Sequence, residues 1–424
     1  MAISAPLALN ITAVAPDPAL LDLPWNLPLE DWPESVLVGL PRGISRHTVR
    51  FVGLSGQVVA VKETREHYAR HEYQLLRLLN RLDVPCVQPA AVITGRRDVN
   101  GEELECALVT RHLKFSLPYR ALYSQTLRPD TATRLVDALA VLLVRLHLVG
   151  FFWGDVSLSN TLFRRDAGSF AAYLVDAETG ELHDTLSDGQ REHDLEIARV
   201  NIAGEFFDLQ AGGLADEDLD PLPISELIIT RYRTLWAELT GSESFASEER
   251  WRVDARVRRL NELGFDVGEL AITTDFDGTT VQLQPKVVDA GHHQRRLIRL
   301  TGLDAQENQA RRLLNDLDSY RAATDQQAAD EELVAHQWLT RVFEPVIHAV
   351  PRELSRKLEP AEIFHEVLEH RWLLAEREMR DIPLDEAVQS YISEVLAHRR
   401  DEASFIGTAT QAIPQSSRHP EELD

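Results

Sequence analysis

Cysteine is nearly missing: the 424 residues contain two, Cys86 and Cys106, in unlike contexts. A disulfide framework and a thiolate metal site are therefore not expected. Positive charge is scarce as well, with 44 Lys and Arg against 68 Asp and Glu and a formal charge of −24. At long range such a surface repels nucleic acid and acidic membranes, so neither is an expected partner unless a local basic patch prevails. No basic residue precedes Arg42 and no long apolar run opens the chain, which argues against a signal peptide. Nowhere do apolar residues accumulate to the roughly 18 needed to cross a bilayer. A cytoplasmic protein is expected. With 44% hydrophobic and 26% charged residues the composition is that of a globular chain, and its length makes two domains the default.

The informative stretch runs from His147 to Glu178. It reads HLVGFFWGDVSLSNTLF, then a turn-rich RRDAGSF, then AAYLVDAE. Asp155 is followed five positions later by Asn160, and Asp176 closes the second apolar run. An aspartate and an asparagine on one short loop can divide two tasks. The first orients or deprotonates an acceptor, and the second offers a neutral oxygen to Mg²⁺. A second aspartate at a strand end completes the ligand set, since Mg²⁺ prefers hard oxygens and takes few protein groups beside phosphates. TLF and AAYLVD read as short strands around the RDAGS turn, which brings Asn160 and Asp176 to one end of a hairpin. Taken singly, Asp155 and Asn160 read as turn caps. The ordered trio between apolar strands reads as a phosphoryl-transfer site.

These segments resemble the catalytic and metal-binding segments of the protein-kinase-like superfamily, with DVSLSN as the catalytic loop and Asp176 as the metal aspartate. Gly154-Asp155 and the lead-in Leu146, His147, Gly150 are most similar to small atypical kinases. Among these are the lipopolysaccharide-core kinases and the kinase/ATPase subunit of the tRNA threonylcarbamoylation complex. The chain as a whole resembles actinobacterial proteins in which such a domain precedes a helical domain of unknown function. Two departures stand out. Ser157 occupies the place of the lysine found two residues after the catalytic aspartate in ordinary serine/threonine kinases. Ala177-Glu178 follows the metal aspartate in place of Phe-Gly, so the usual activation switch is not implied.

The resemblance implies N-lobe strands in SVLVGL, HTVRFVGL and QVVAVKE, with residues 41–46 as a nucleotide lid. Only Gly43 there offers the backbone freedom for close approach to phosphate, and an ordinary hairpin explains it equally. Lys62 ends an apolar strand run and matches the kinase strand lysine that places a charge on the α- and β-phosphates. In the next helix, Tyr68, Leu75, Leu79 and Leu82 fall on one stripe, and Glu72 falls on it too. A carboxylate on a buried face must be paired, and Lys62 is its natural partner. Glu63 and Glu66 are the alternatives. VQPAAVITGR and ELECALVTRHL read as strands joined through Asn100-Gly101. Residues 109–113, with Val109 and Arg111 among them, are then the hinge where backbone groups would meet adenine.

Residues 130–149 read as a helix with Leu135, Leu139, Leu142 and Leu146 on one face. His147 follows, and the resemblance gives it a buttressing role. Asp194 reads equally as a brace for the catalytic loop, on the family pattern, or as a carboxylate at a helix N-terminus. Gly, Asp and Pro cluster at 211–223, a candidate boundary. Beyond it the pattern is mostly helical, interrupted by a β-hairpin turned by Asp277-Gly278, with Asp304 and Glu307 as a capping box. His365 and His370 are five apart, off the spacing that sets two ligands on one helix face, and read as core or solvated residues. The arginine groups at 252–259 and 295–312 read as ordinary helix faces rather than a phosphate or RNA patch.

The expected fold is α+β, a two-lobed protein-kinase-like domain followed by a mainly α-helical domain with a β-hairpin. Its parts are an irregular arm (1–35), an N-lobe (36–113), a C-lobe (114–215), a helical domain (222–403) and a disordered tail (406–424). The expected function is ATP·Mg²⁺-dependent phosphoryl transfer to a hydroxyl of a small molecule, glycan or protein. Asp155 serves the acceptor, Lys62 fixed by Glu72 holds the phosphates, and Asn160 and Asp176 hold Mg²⁺. Gly43, Val109 and Arg111 meet the nucleotide. A nucleotide-dependent ATPase, or a nucleotide-gated scaffold engaging a protein partner through the second domain, would use the same residues.

Overall fold

The computed structural model describes residues 9–14, 16–39, 48–123, 130–216, 218–249, 251–274, 280–399 and 401–402. The lid with Gly43, the Asp277-Gly278 turn and the 406–424 tail lie outside the described residues.

The N-terminal sheet is antiparallel, ordered β1-β4-β5-β3-β2. Its strands are β1 (Asn10–Ala13), β2 (Val49–Leu54), β3 (Gln57–Thr64), β4 (Pro89–Thr94) and β5 (Cys106–Arg111). Side chains alternate between its faces. Val59, Val61, Ala107 and Val109 enter a core shared with the arm, while Ala60, Lys62, Leu108 and Thr110 line a cleft. The arm is not irregular throughout. Its β1 adds an edge strand beside β4, and two 3₁₀ turns, Pro18–Asp22 and Leu29–Asp31, accompany Trp25 and Trp32 onto the sheet. The two indoles meet edge to face, 5.2 Å between centroids. Fully buried Arg96 fastens the arm, donating to the carbonyls of Trp25 and Leu27 and pairing with Glu63.

Helix α1 (Glu66–Arg81) buries Ala69, Glu72, Tyr73, Leu75, Leu76 and Leu79. Tyr68 and Leu82, expected on that stripe, are 38% and 46% exposed. The buried face is centred one position on, through Ala69, Tyr73 and Leu76, and leaves the two longer side chains outward. Glu72 lies on the buried stripe in either phase.

The C-lobe comprises β6 (Ser116–Pro118), α2 (Tyr119–Tyr123), α3 (Thr131–Leu148), β7 (Phe151–Phe152), β8 (Thr161–Asp166), β9 (Ser169–Leu174), β10 (Glu181–Leu182) and α4 (Asp188–Ala211). Leu135, Leu139, Leu142 and Leu146 of α3 are all buried. The hydrophobic core does not break at 211–223. Helix α5 (Pro221–Thr240) buries Ile228, Tyr232 and Leu239 in the same core as α3 and α4. Leu260 of α6 (Trp251–Glu262) and Phe265 of β12 (Phe265–Thr274) extend it. Strand β13 (Thr280–Ala290) pairs with β12 and, on its other edge, with β11 (Glu243–Ala246), so the expected hairpin is a three-stranded sheet.

A second core is built by α7 (His292–Thr301), α8 (Glu307–Ala323), α9 (Glu331–Trp338), α10 (Glu344–His348), α11 (Pro360–Glu378) and α12 (Leu384–Glu394). Trp338, Phe343 and Phe364 form its aromatic centre, and a π turn at Leu339–Phe343 links α9 to α10. Asp304 and Glu307 do not form the expected capping box. Gln306 is the N-cap of α8, its N–H donating to Gln309, while Glu307 accepts from the N–H groups of His293 and Gln294 and so caps α7. Among the described residues no helix is long and apolar enough to cross a membrane.

Candidate active site

Lys62 projects from β3 on the cleft face, and α1 brings Glu72 against it at 3.0 Å. Asp176 lies 2.9 Å from the same Nζ and Glu178 3.1 Å. Glu66 is engaged by Arg70 and Glu63 by Arg96, which leaves Glu72 as the α1 partner. Burial works against the charge of Lys62, but Glu72 and Asp176 outweigh it and hold the ammonium above its ordinary pKa. Burial, then repulsion from Asp176, push the Glu72 carboxyl up to about 8 in spite of Lys62. One cation among three carboxylates leaves surplus negative charge. Glu72, Asp176 and Glu178 can bring one oxygen each to within 4.8 Å of one another. A hard-oxygen set with excess negative charge fits a divalent cation such as Mg²⁺.

Asp155 sits on the loop after β7. Gly154 precedes it at φ +76, a left-handed backbone that favours glycine, and its N–H donates to Asp194 at 2.8 Å. Asp194, fully buried in α4, also accepts from Trp153 N at 2.9 Å and from His147 Nε2 at 3.0 Å. It braces the loop, so the helix-terminus alternative does not describe its role. His147 in turn contacts the Tyr232 hydroxyl at 2.7 Å, and burial keeps its pKa below the ordinary histidine value. It buttresses the loop through Asp194. Asp194→Ala removes the acceptor of three N–H groups, two of them buried, and is expected to cost about 3 kcal/mol of stability, read as a lowered denaturant midpoint.

Asn160 closes the loop. Its Nδ2 donates to the Asp155 carboxylate at 2.9 Å and to the Asp155 carbonyl at 3.0 Å, leaving Oδ1 for a cation. The β8–β9 hairpin pairs Thr161 with Leu174, and Val175 N donates to Asn160 O, so Asn160 and Asp176 share its open end as the alternation implied. These groups face a cleft of about 910 Å³ between the lobes. Val49 and Ala60 from above and Leu162 and Val175 from below supply apolar walls, the character of a small-molecule site.

The hinge differs from the expectation. The Val109 side chain is fully buried on the arm face of the sheet, the opposite side from Lys62, so it does not line the cleft. The amides of Arg111 and His112 both donate within the fold, to Gln88 O and Val58 O. What Arg111 offers the cleft is its exposed side chain, and Thr110, Leu113 and the His112 ring line the wall beside it.

Residues 57–203, which carry Lys62, Glu72, Asp155, Asn160, Asp176 and Asp194, match the family described as lipopolysaccharide kinase (Kdo/WaaP). Over those residues the chain carries a kinase-like domain that matches this family. Residues 234–396 match a domain of unknown function, DUF4032. A solved structure described as WaaP in complex with acyl carrier protein aligns at 17% identity over 54% of this chain and 99% of its own, with a TM-score of 0.32. No curated protein matches the chain.

Three residues of the kinase-like domain escaped the motif reading. Glu178 stands in the place of a kinase glycine and points a third carboxylate at Lys62. Asn201 donates to Val156 O at 3.0 Å and approaches Asp155 at 3.5 Å. Glu205 accepts from the amides of Leu158 and Ser159 and from the Ser159 hydroxyl. A signal existed: Asp194, Asn201 and Glu205 are seven and four residues apart, one face of one helix. In the second domain His365 is buried and His370 contacts Ser390. Most arginines of the two groups pair internally, Arg252 and Arg259 with Glu243, Arg296 with Glu331.

Proposed function

We propose that the chain is an ATP·Mg²⁺-dependent phosphotransferase acting on a hydroxyl, and that a saccharide hydroxyl is the acceptor class to test first. The single observation that carries this is the convergence of Lys62, Asp155, Asn160 and Asp176 on one interlobe cleft. Asp155 would take the acceptor proton as the hydroxyl oxygen bonds to the γ-phosphorus and the bond to the β–γ bridging oxygen breaks, releasing ADP. Lys62, fixed by Glu72, would hold the α- and β-phosphates. Asn160 and Asp176, with Glu178 beside them, would hold Mg²⁺, whose charge offsets that of the phosphate oxygens. Within the loop, Ser157 stands where a protein kinase has lysine, and its hydroxyl accepts from Asn160 N. That favours a non-protein acceptor, in line with the family's name.

The test is incubation with γ-labelled ATP and an actinobacterial lysate. Label in a glycan, metabolite or protein supports transfer, and free phosphate alone supports an ATPase. Binding is tested separately. A ligand that selects the folded state at about 100 times its Kd adds roughly 2.7 kcal/mol, so Mg·ATP should raise the thermal midpoint measurably. No shift at millimolar nucleotide with Mg²⁺ or Mn²⁺ would remove the nucleotide site.

A further inference from the structure

The β8–β9 hairpin is the covalent link between Asn160 and Asp176, and its far end is held by the second domain. Asp166 at the tip is buried, 3% exposed. Its Oδ1 accepts from Gln309 N at 2.7 Å, and its Oδ2 accepts from Asn308 N at 3.2 Å and Asn308 Nδ2 at 2.9 Å. Glu362 of α11 accepts from Ala167 N at 2.9 Å and from Gln309 Nε2 at 2.8 Å. Gln309 Nε2 also donates to Arg165 O at 3.0 Å. The ring therefore closes through Asp166, Gln309, Glu362 and Ala167. Ala167 and Gly168 form the two-residue turn at φ +50 and +82, and Ala167 keeps its left-handed backbone while bonded to Glu362. Arg164 pairs with Glu359, Arg165 with Glu402, and the Tyr173 hydroxyl donates to Gln306.

We infer that Asp166, Gln309 and Glu362 are positioning residues through which the second domain sets the separation and twist of Asn160 and Asp176. The inference rests on the reading of those two residues as metal ligands. Among the described residues the hairpin has one strand neighbour in its sheet, the three-residue β6, and the outer edge of β9 is engaged at its open end, where Leu174 bridges to Cys86 between Pro85 and Val87. A two-stranded ribbon twists readily, so fixing the twist at its tip restricts the twist at its open end. A buried carboxylate with three donors fixes orientation in a way that an apolar contact of the same area does not. The DUF4032 segment thus acts on the kinase-like site without entering the cleft.

Asp166→Asn and, separately, Gln309→Ala are compared with the wild-type full chain by hydrogen exchange and by ADP binding with and without Mg²⁺. Leu174, Val175 and Ala177 report on the open end, because their amides donate to Pro85 O, Asn160 O and Glu72. In both variants these amides are expected to exchange about tenfold faster, with α3 amides unchanged, as a local opening requires. The Mg²⁺-dependent gain in ADP affinity should fall by about fivefold or more, the low end of ordinary site-to-site coupling, while Mg²⁺-free binding stays within about twofold. A merely structural contact would move both affinities or neither. Wild-type exchange at Leu174, Val175 and Ala177, with faster exchange confined to Ala167, Asn308 and Gln309, overturns the coupling. A wild-type chain whose ADP affinity ignores Mg²⁺ overturns the metal reading instead, and the exchange data alone then decide the positioning role. If neither variant folds, the reciprocal effect on the wild type decides. Mg·ADP should slow exchange at Asn308 and Gln309, and unchanged rates there overturn the inference.

Discussion

Asp155→Asn should abolish most turnover, about 10²–10⁴-fold, while leaving Mg·ATP affinity within a few-fold. The two carboxylates of the site are held by different partners. Asp155 is aimed by Asn160 and approached by Asn201, on the C-lobe side of the cleft, and makes no contact with Lys62. Asp176 touches Lys62 and accepts the Glu178 amide, so it lies with the groups assigned to the phosphates and Mg²⁺. Asp155 would meet only the acceptor, whose bond forms on the far side of the γ-phosphate. Its loss is then a loss of transition-state rather than ground-state interaction. Asp176→Asn is expected to lower nucleotide affinity, and chiefly when Mg²⁺ is present. Calorimetric titration of both variants beside steady-state turnover separates the roles. Weak binding by Asp155→Asn together with normal binding by an inactive Asp176→Asn would show the two assignments to be reversed.

Much of this arrangement is legible in the sequence where local chemistry is stringent. A period of two around RDAGS is enough to bring Asn160 and Asp176 together, because strand alternation and a two-residue turn leave one register. The Lys62–Glu72 pair is legible because a glutamate on a buried helix face needs a cation. The phase of its neighbours is less distinct: Tyr68 and Leu82 are apolar at helical spacing, yet the buried face takes in the inconspicuous Ala69 and leaves both of them exposed. Strand β1 is four residues, NITA, and exists through pairing with β4, nearly eighty residues on, which no local pattern announces. The Gly-Asp-Pro cluster near 211–223 marks a turn, and a turn is not a domain boundary when the next helix puts Tyr232 against His147. The same limit applies to Glu307. It has the spacing of a capping box for its own helix, and tertiary structure spends it on the neighbouring one. Local motifs name the chemistry a residue is fit for, whereas long-range packing chooses the partner.

Lys62→Met and Glu72→Gln should each impair turnover strongly, and the double variant should be little worse than Lys62→Met alone. Loss of a charge-stabilising donor in such a site costs about 10²–10³ in rate, and Glu72 contributes by keeping that donor in place. If the pair acts as a unit, the cycle shows a coupling energy of about 1–3 kcal/mol instead of additive losses. Two further carboxylates make the outcome informative. In Glu72→Gln, Lys62 still has Asp176 and Glu178 within 3.1 Å or less, so the amine is not released but drawn toward the groups assigned to Mg²⁺. Mg²⁺ must then compete with it, and raising Mg²⁺ should recover part of the activity of Glu72→Gln and none of that of Lys62→Met. The metal-free protein offers a second check. Its Glu72 carboxyl is raised to about 8 by burial and Asp176, so its protonated form is favoured by folding. That contribution is complete below the unfolded carboxylate pKa and is lost as pH rises through about 8. Glu72→Gln keeps the neutral form at every pH and should flatten this decline in the melting temperature. Additive kinetic losses combined with a flattened profile would show that Glu72 serves the site through the Ala177 amide it accepts at 3.4 Å rather than through Lys62.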